Sequence, residues 1–405
     1  MRTSSARLLI AAATSLAVAL GPSVLPAKGA LAAVAGARPA GAPAHAPKPG
    51  IYVDHTRVPG RLAYAFSVTR AGYRHWAGPS GRRFSTLAPG ATKARRTRVR
   101  FDDYYGVKKP AVLDTVASVN GKRVDVVTWQ PTSVQVVQVS QRARRLPEIT
   151  AADEAVVTTS PDPGVGYPIG GIVALAHNRV AILFANDPAV ATNNGAPVVY
   201  IGKPGHIFRR ATLPGIDGAC DYQASGLARD PHNGELYVVC VGYDENSFRN
   251  QFQVWSARTS HDPFTGPEVF ALDHHYENVT GFAVTHGRLW ATLSGATVGS
   301  RGDHLVHRSK GGGWSQMEVP RATFRDVQPT LAVDPRPSSH AVWEANLRNK
   351  THHRGTLTSS GIEVRRLGKR ISPPRLATRG NDQILGFAVA WDGSRSLLHE
   401  VLDRG

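Results

Sequence analysis

Cysteine, methionine and acid are what this sequence has least of. Its 405 residues hold 2 Cys, 2 Met and 30 Asp+Glu against 48 Lys+Arg, a formal net charge of +18. Two cysteines exclude a disulfide-dense scaffold and a cysteine-rich zinc module. The 16 His follow neither H-E-x-x-H nor H-x-x-x-H spacing, so no metal site and no cofactor is expected. No apolar run reaches the roughly 20 residues that cross a bilayer. With 40 Gly and 28 Pro, a long helix bundle or coiled coil is excluded too. A hydrophobic fraction of 41% with 19% charged residues excludes wholesale disorder.

What is present begins with an export signal. Arg2 and Arg7 precede an apolar stretch from Leu8 to Leu20 that stops at Gly21 and Pro22, and Ala30 and Ala32 offer an A-x-A cleavage site. Residues 1–32 are therefore expected to be a signal peptide, 33–50 an Ala/Pro/Gly-rich linker, and 51–405 the folded domain. The expectation is a secreted, extracellular monomer with no stable membrane insertion. In an oxidising compartment Cys220 and Cys240 form one disulfide, the alternative being two buried thiols.

The domain repeats itself. Six segments read as strand, tight turn, strand: VASVNGKRVDVVTW, IVALAHNRVAILFA, GLARDPHNGELYVVCV, GFAVTHGRLWATLSG, TLAVDPRPSSHAVWEANL and GFAVAWDGSRSLLHEVL. Each has an alanine before its turn, at Ala117, Ala174, Ala228, Ala283, Ala332 and Ala388. Two further strand-like runs follow each hairpin except the last. Four short antiparallel strands per unit of about 40 to 55 residues predict an all-β, six-bladed β-propeller. LAYAFSVT and RRFSTL near the N-terminus would complete the C-terminal blade and remove an open sheet edge. Seven blades is the alternative.

In such a ring the loops leading into the innermost strands meet around the channel mouth. They carry Tyr105, Lys108, Asp221 and Tyr222, then Tyr276 with Glu277, Arg325 with Asp326, and Arg379 near Asp382. Tyrosines stack on sugar rings, arginines hold carboxylate or sulfate by paired hydrogen bonds, and carboxylates among them serve general acid and base chemistry. Basic pairs recur in the outer strands, at Arg82/Arg83, Arg144/Arg145, Arg209/Arg210 and Arg365/Arg366, with a further cluster from Lys93 to Arg100. They predict a positive rim that attracts polyanions. No nucleic-acid motif accompanies the charge, so nucleic acid is not an expected partner.

The turn segments RSKGGGWSQM, with Ser309, Gly313 and Trp314, and SVTRAGYRHW, with Ser67, Gly72 and Trp76, resemble the Asp-box turn of the sialidase superfamily. Lys108 in VKKPAV stands where that family carries a substrate-binding arginine. The resemblance implies a six-bladed ring and, as one reading, hydrolysis of an anionic sugar. Glu277 and Asp326 would then be the carboxylate pair, Tyr276 a catalytic candidate, and Lys108, Arg325 and Arg379 the groups that neutralise substrate. The preferred reading is a non-catalytic propeller that binds an anionic or glycan ligand at the channel mouth.

Overall fold

The computed structural model of the protein describes residues 50–54, 65–68, 73–77, 83–89, 91, 94–98, 111–117, 123–130, 133–140, 169–184, 197–203, 208–215, 225–244, 249–273, 278–294, 304–318, 330–333, 341–346, 351–358, 361–369, 375–379, 383–389 and 396–402. They form seven antiparallel sheets. Strand β1 (Gly50–Asp54) stands apart in sequence from its sheet. Sheet I is β2 (Ala65–Val68), β3 (Arg74–Ala77), β4 (Arg83–Leu87) and β5 (Arg95–Arg98). Sheet II holds β6 (Ala111–Ala117), β7 (Arg123–Gln130) and β8 (Ser133–Ser140) among the described residues. Sheet III is β9 (Ile169–Leu175), β10 (Arg179–Phe184), β11 (Val198–Gly202) and β12 (Arg209–Thr212).

Sheet IV follows with β13 (Ser225–Arg229), β14 (Leu236–Asp244), β15 (Arg249–Ala257) and β16 (Thr265–Ala271). Sheet V is β17 (Asn278–Thr285), β18 (Arg288–Ser294), β19 (His304–Arg308) and β20 (Trp314–Glu318). Sheet VI is β21 (Thr330–Val333), β22 (Ala341–Asn346), β23 (Thr351–Thr358) and β24 (Gly361–Lys369). Sheet VII takes β25 (Arg375–Arg379), β26 (Gln383–Val389) and β27 (Ser396–Leu402), with β1 as its fourth strand. The first strand of each sheet lies beside the first strand of the next, and β25 lies beside β2.

Three expectations from the sequence need correction. Among the described residues seven sheets are present, where six repeat units were the expectation and seven the alternative, because strands between residues 65 and 98 make a sheet of their own. Its strands are only four or five residues long, and its first hairpin lacks the alanine that marks the others. The strands LAYAFSVT and RRFSTL therefore do not complete the last sheet. That position belongs to β1, which pairs antiparallel with β27 from Gly50 opposite Leu402 to Asp54 opposite Leu398. Finally, the first five hairpins occupy the first and second strands of their sheets, but GFAVAWDGSRSLLHEVL forms β26 and β27, the second and third.

Alternation along the strands sorts side chains between neighbouring sheets. In β14, Leu236, Val238 and Cys240 join the core shared with sheet III, while Tyr237, Val239 and Val241 join the core shared with sheet V. A strand buried on both faces must be apolar at every position, and Val180 to Phe184 of β10 are all buried. The first strands approach closely because glycine lets them. A Cβ on Gly226 would meet Phe282 Cβ at 3.0 Å, and one on Gly170 would meet Ser225 Oγ at 2.5 Å.

Turns between sheets add polar ties. Asp230 is wholly buried; its Oδ1 accepts from the His232 amide at 2.8 Å and its Oδ2 from the Gly287 amide of sheet V at 2.8 Å. Above this tie the His232 and His286 rings stack at 4.3 Å. Farther out, Glu268 accepts from Arg308 Nε at 3.0 Å and from Trp314 Nε1 at 2.6 Å, while Trp314 stacks on Phe270. Ser309 to Gly313 make the turn between the third and fourth strands of sheet V. Of the two segments that resemble an Asp-box, the other lies elsewhere in its sheet, with Ser67 in β2 and Trp76 in β3, the first and second strands. Among the described residues, no helix is long and apolar enough to cross a membrane.

Candidate functional site

Of the residues expected at the channel mouth, Tyr105, Lys108, Asp221, Tyr222, Tyr276, Glu277, Arg325, Asp326 and Asp382 lie outside the described residues. Cys220 does as well; Cys240 is buried in β14 and is not a free thiol. Arg379 is described, and its position differs from the expectation. It is the last residue of β25 and pairs with Gln383 across the turn to β26. That turn lies at the end of sheet VII opposite to the one where the chain enters β25. The cause is the one-strand shift of the final repeat.

The site that the described residues do build lies at the other end of the sheets, where first-to-second and third-to-fourth strand turns emerge. The β9–β10 turn is tight, with His177 and Asn178 both in the left-handed region at φ 59°, a pairing suited to a two-residue hairpin. It leaves His177 exposed and sets Arg179 at the start of β10. The end of β11 brings Gly202 and, just beyond it, Lys203 alongside, and β12 begins with Arg209. The Gly202 Cα lies against the Phe208 ring, where an added Cβ would come within 2.5 Å of the ring. From sheet IV, the β15–β16 turn contributes Ser260 and His261.

These residues enclose an open cleft of about 490 Å3, lined by His177, Arg179, Ile201, Gly202, Lys203, Arg209 and His261. Three are fixed cations and two are imidazoles. No carboxylate is among them. Neutral acceptors gather the cations instead: Arg179 Nη1 donates to Ser260 Oγ at 3.0 Å and to His261 Nε2 at 2.7 Å, and Arg209 Nη2 donates to the Ser260 carbonyl at 2.7 Å. Burial, and after it the neighbouring Arg209 charge, holds Arg179 below the ordinary guanidinium range. The carboxylate of this turn, Asp262, accepts from the Thr259 amide at 3.0 Å and so braces the turn. Like charges crowded by neutral groups are an arrangement that an anion relieves. Among the described residues no group of three or more potential ligand residues could hold a metal ion.

Arg209 is one of the basic-rim residues expected from the sequence, whereas Arg179, Lys203, His177 and His261 are not among the expected site residues. The signal was available in the repeat, because A-H-N-R and K-P-G-H-I-F-R-R load both turns of one unit with basic residues. What sequence could not show is that the next unit's R-T-S-H-D turn reaches across to them. Of the other rim arginines, Arg365 and Arg366 lie in β24, Arg83 in β4 and Arg95 in β5.

No family model matches the chain, and no curated protein matches it in sequence. Solved structures do match in shape. Virginiamycin B lyase from Staphylococcus aureus aligns with 87% of this chain and all of its own (100%), at a TM-score of 0.55 and 13% identity. Hydrazine synthase of Kuenenia stuttgartiensis aligns with 85% of this chain and 97% of its own, at 0.54 and 10%. YCF48 bound to D1 peptide aligns with 89% and 99%, at 0.53 and 13%. The chain has a β-propeller fold. At such identities the likeness extends to the fold alone, and a propeller carries its chemistry in its turns and loops.

Proposed function

We propose that this propeller is an exported, non-catalytic binding protein whose ligand is an acidic glycan or a comparable extracellular polyanion. Its seven sheets are read as seven blades of one closed ring, with β1 completing the last. The succession of neighbouring first strands, returning from β25 to β2, supports that reading. The observation that carries the function is the cleft of Arg179, Lys203 and Arg209 without a lining carboxylate. Magnitudes favour a polymer over a single small anion. In an open cleft each ion pair contributes about 1 kcal/mol at 4 Å in water-like dielectric, so three cations hold one anion at about millimolar strength. A chain of anions gains by repeated engagement along the basic rim. The alternative of a sialidase-like hydrolase rests on Glu277 and Asp326 by sequence alone, and the channel mouth remains a second place where a sugar would dock.

The test compares binding of the protein to immobilised dextran sulfate and to neutral dextran, for the wild type and for R179A/R209A. The wild type should bind only the sulfated polymer, and the double variant should bind about tenfold or more weakly, equivalent to about 1.4 kcal/mol or more. Equal binding by the double variant would remove the cleft from the function.

A further inference from the structure

Arg179 has five N–H donors and no acceptor, and it stays protonated. The 2.7 Å contact between its Nη1 and His261 Nε2 therefore fixes the imidazole: Nε2 must be the unprotonated acceptor, and the ring proton sits on Nδ1. The contact exists only while His261 is neutral. A proton arriving at Nε2 from solvent turns the acceptor into a donor and sets a cation against the guanidinium. Nη1 then keeps Ser260 Oγ at 3.0 Å, and its second N–H, released from the imidazole, is available to an anion in the cleft.

Taking the anion-binding reading of the cleft as its basis, we infer that His261 is a proton-operated catch on Arg179, so that the cleft captures anions more strongly in mildly acidic surroundings than in neutral ones. Neutral His261 occupies one prong of the guanidinium and contributes no charge. Protonated His261 releases that prong and adds a positive charge of its own. The groups around the ring point the same way. Arg179 from β10 and Lys203 and Arg209 from the outer half of sheet III are cationic, and His177 from the β9–β10 turn is a second imidazole. Among the described residues of His261's own turn the carboxylate is Asp262, which is engaged with the Thr259 amide. A bound polyanion supplies the counter-charge that this cluster lacks, and thereby favours the protonated ring. Proton and ligand uptake are coupled in both directions.

The experiment measures affinity for dextran sulfate, whose ester charge is constant, at pH 8 and at pH 5.5 in equal ionic strength. Wild-type affinity should rise about fivefold or more as the pH falls. H261Q, whose amide oxygen still accepts from Arg179 but cannot take a proton, should stay near the wild type's pH 8 affinity at both values. H261A, which frees Arg179 permanently, should bind more tightly than wild type at pH 8 and respond little to acid. H177Q removes the other imidazole without touching the Arg179 contact and should retain a pH step. A flat wild-type profile, or an H261Q profile that follows the wild type, would overturn the catch while leaving the cleft intact. Unaltered binding by R179A/R209A would instead overturn the cleft itself.

Discussion

His75 lies fully buried in β3, its Nδ1 3.0 Å from Thr86 Oγ1 on the neighbouring strand. Burial pushes its imidazole from 6.5 down to about 3, so the native ring stays neutral through the mildly acidic range. The unfolded chain binds a proton there that the native chain refuses. Stability is therefore at its full value above pH 6.5 and falls as the pH drops toward 3, by about 1.4 kcal/mol per pH unit for this one group. His75→Gln, which keeps a partner for Thr86 and cannot titrate, should be less stable at pH 7 but lose that increment of pH dependence. Urea midpoints at pH 5 and 7 for both proteins measure it, and equal slopes would refute the assignment. Nothing in the sequence marked His75 out from the other 15 histidines. A buried imidazole and a solvated one have the same letter, and only the packing of β3 against its sheet separates them. The same holds for His177 and His261, which become interesting only when two turns from different repeats meet.

Hairpins were the part of the fold most readable in advance. Period-2 alternation and an alanine before the turn located five of the first-to-second strand hairpins, three of them with Asn-Gly or His-Gly at the tip, because local turn chemistry and burial on both faces dictate those residues. Phase along the repeat was less secure. GFAVAWDGSRSLLHEVL satisfies the same pattern one strand later, since second and third strands also alternate and also turn tightly. This shift misplaced Arg379. Ties between elements were not readable either, as Asp230 shows. Its two oxygens satisfy backbone amides on two different sheets, and each would be left unpaired by Asp230→Ala at roughly 1 to 3 kcal/mol. The expected loss in denaturant unfolding is about 2 to 6 kcal/mol. The Arg308–Glu268 pair, at 2.9 Å but 22% and 40% exposed, belongs to the class of surface ion pairs contributing about 1 kcal/mol or less. Glu268→Gln, which still accepts from Trp314, should therefore cost much less than Asp230→Ala. If the two losses came out equal, the buried carboxylate would not be the main tie between these sheets.

At the scale of the whole molecule, the all-β class and the propeller architecture followed from repetition, but the number of sheets did not. The sheet of residues 65–98 diverged in strand length and in its turn, and a repeat that has lost its marks cannot be counted. The strand that completes sheet VII was expected from the N-terminal part of the chain and lies there, but in different residues. Its contribution is open to measurement. Without β1, strand β27 presents unpaired backbone groups along its whole edge, a template for pairing with other chains. A protein starting after Asp54 should melt lower and self-associate on heating, whereas one starting at Gly50 should melt as the full chain does. Identical melting of the two shortened forms would mean that the fourth position of sheet VII carries little of the stability.

The antiparallel register of β1 on β27 places Gly50 directly across from Leu402. Whatever is joined to the front of the domain and whatever is joined to its back therefore depart from one spot, as the two ends of a hairpin do. A short bridge between these positions would splice the old ends together, and new ones opened at an exposed turn such as Ser309 to Gly313 would yield a circularly permuted chain with the same sheets. Tethers and reporters fused to either end would likewise share a single point of origin.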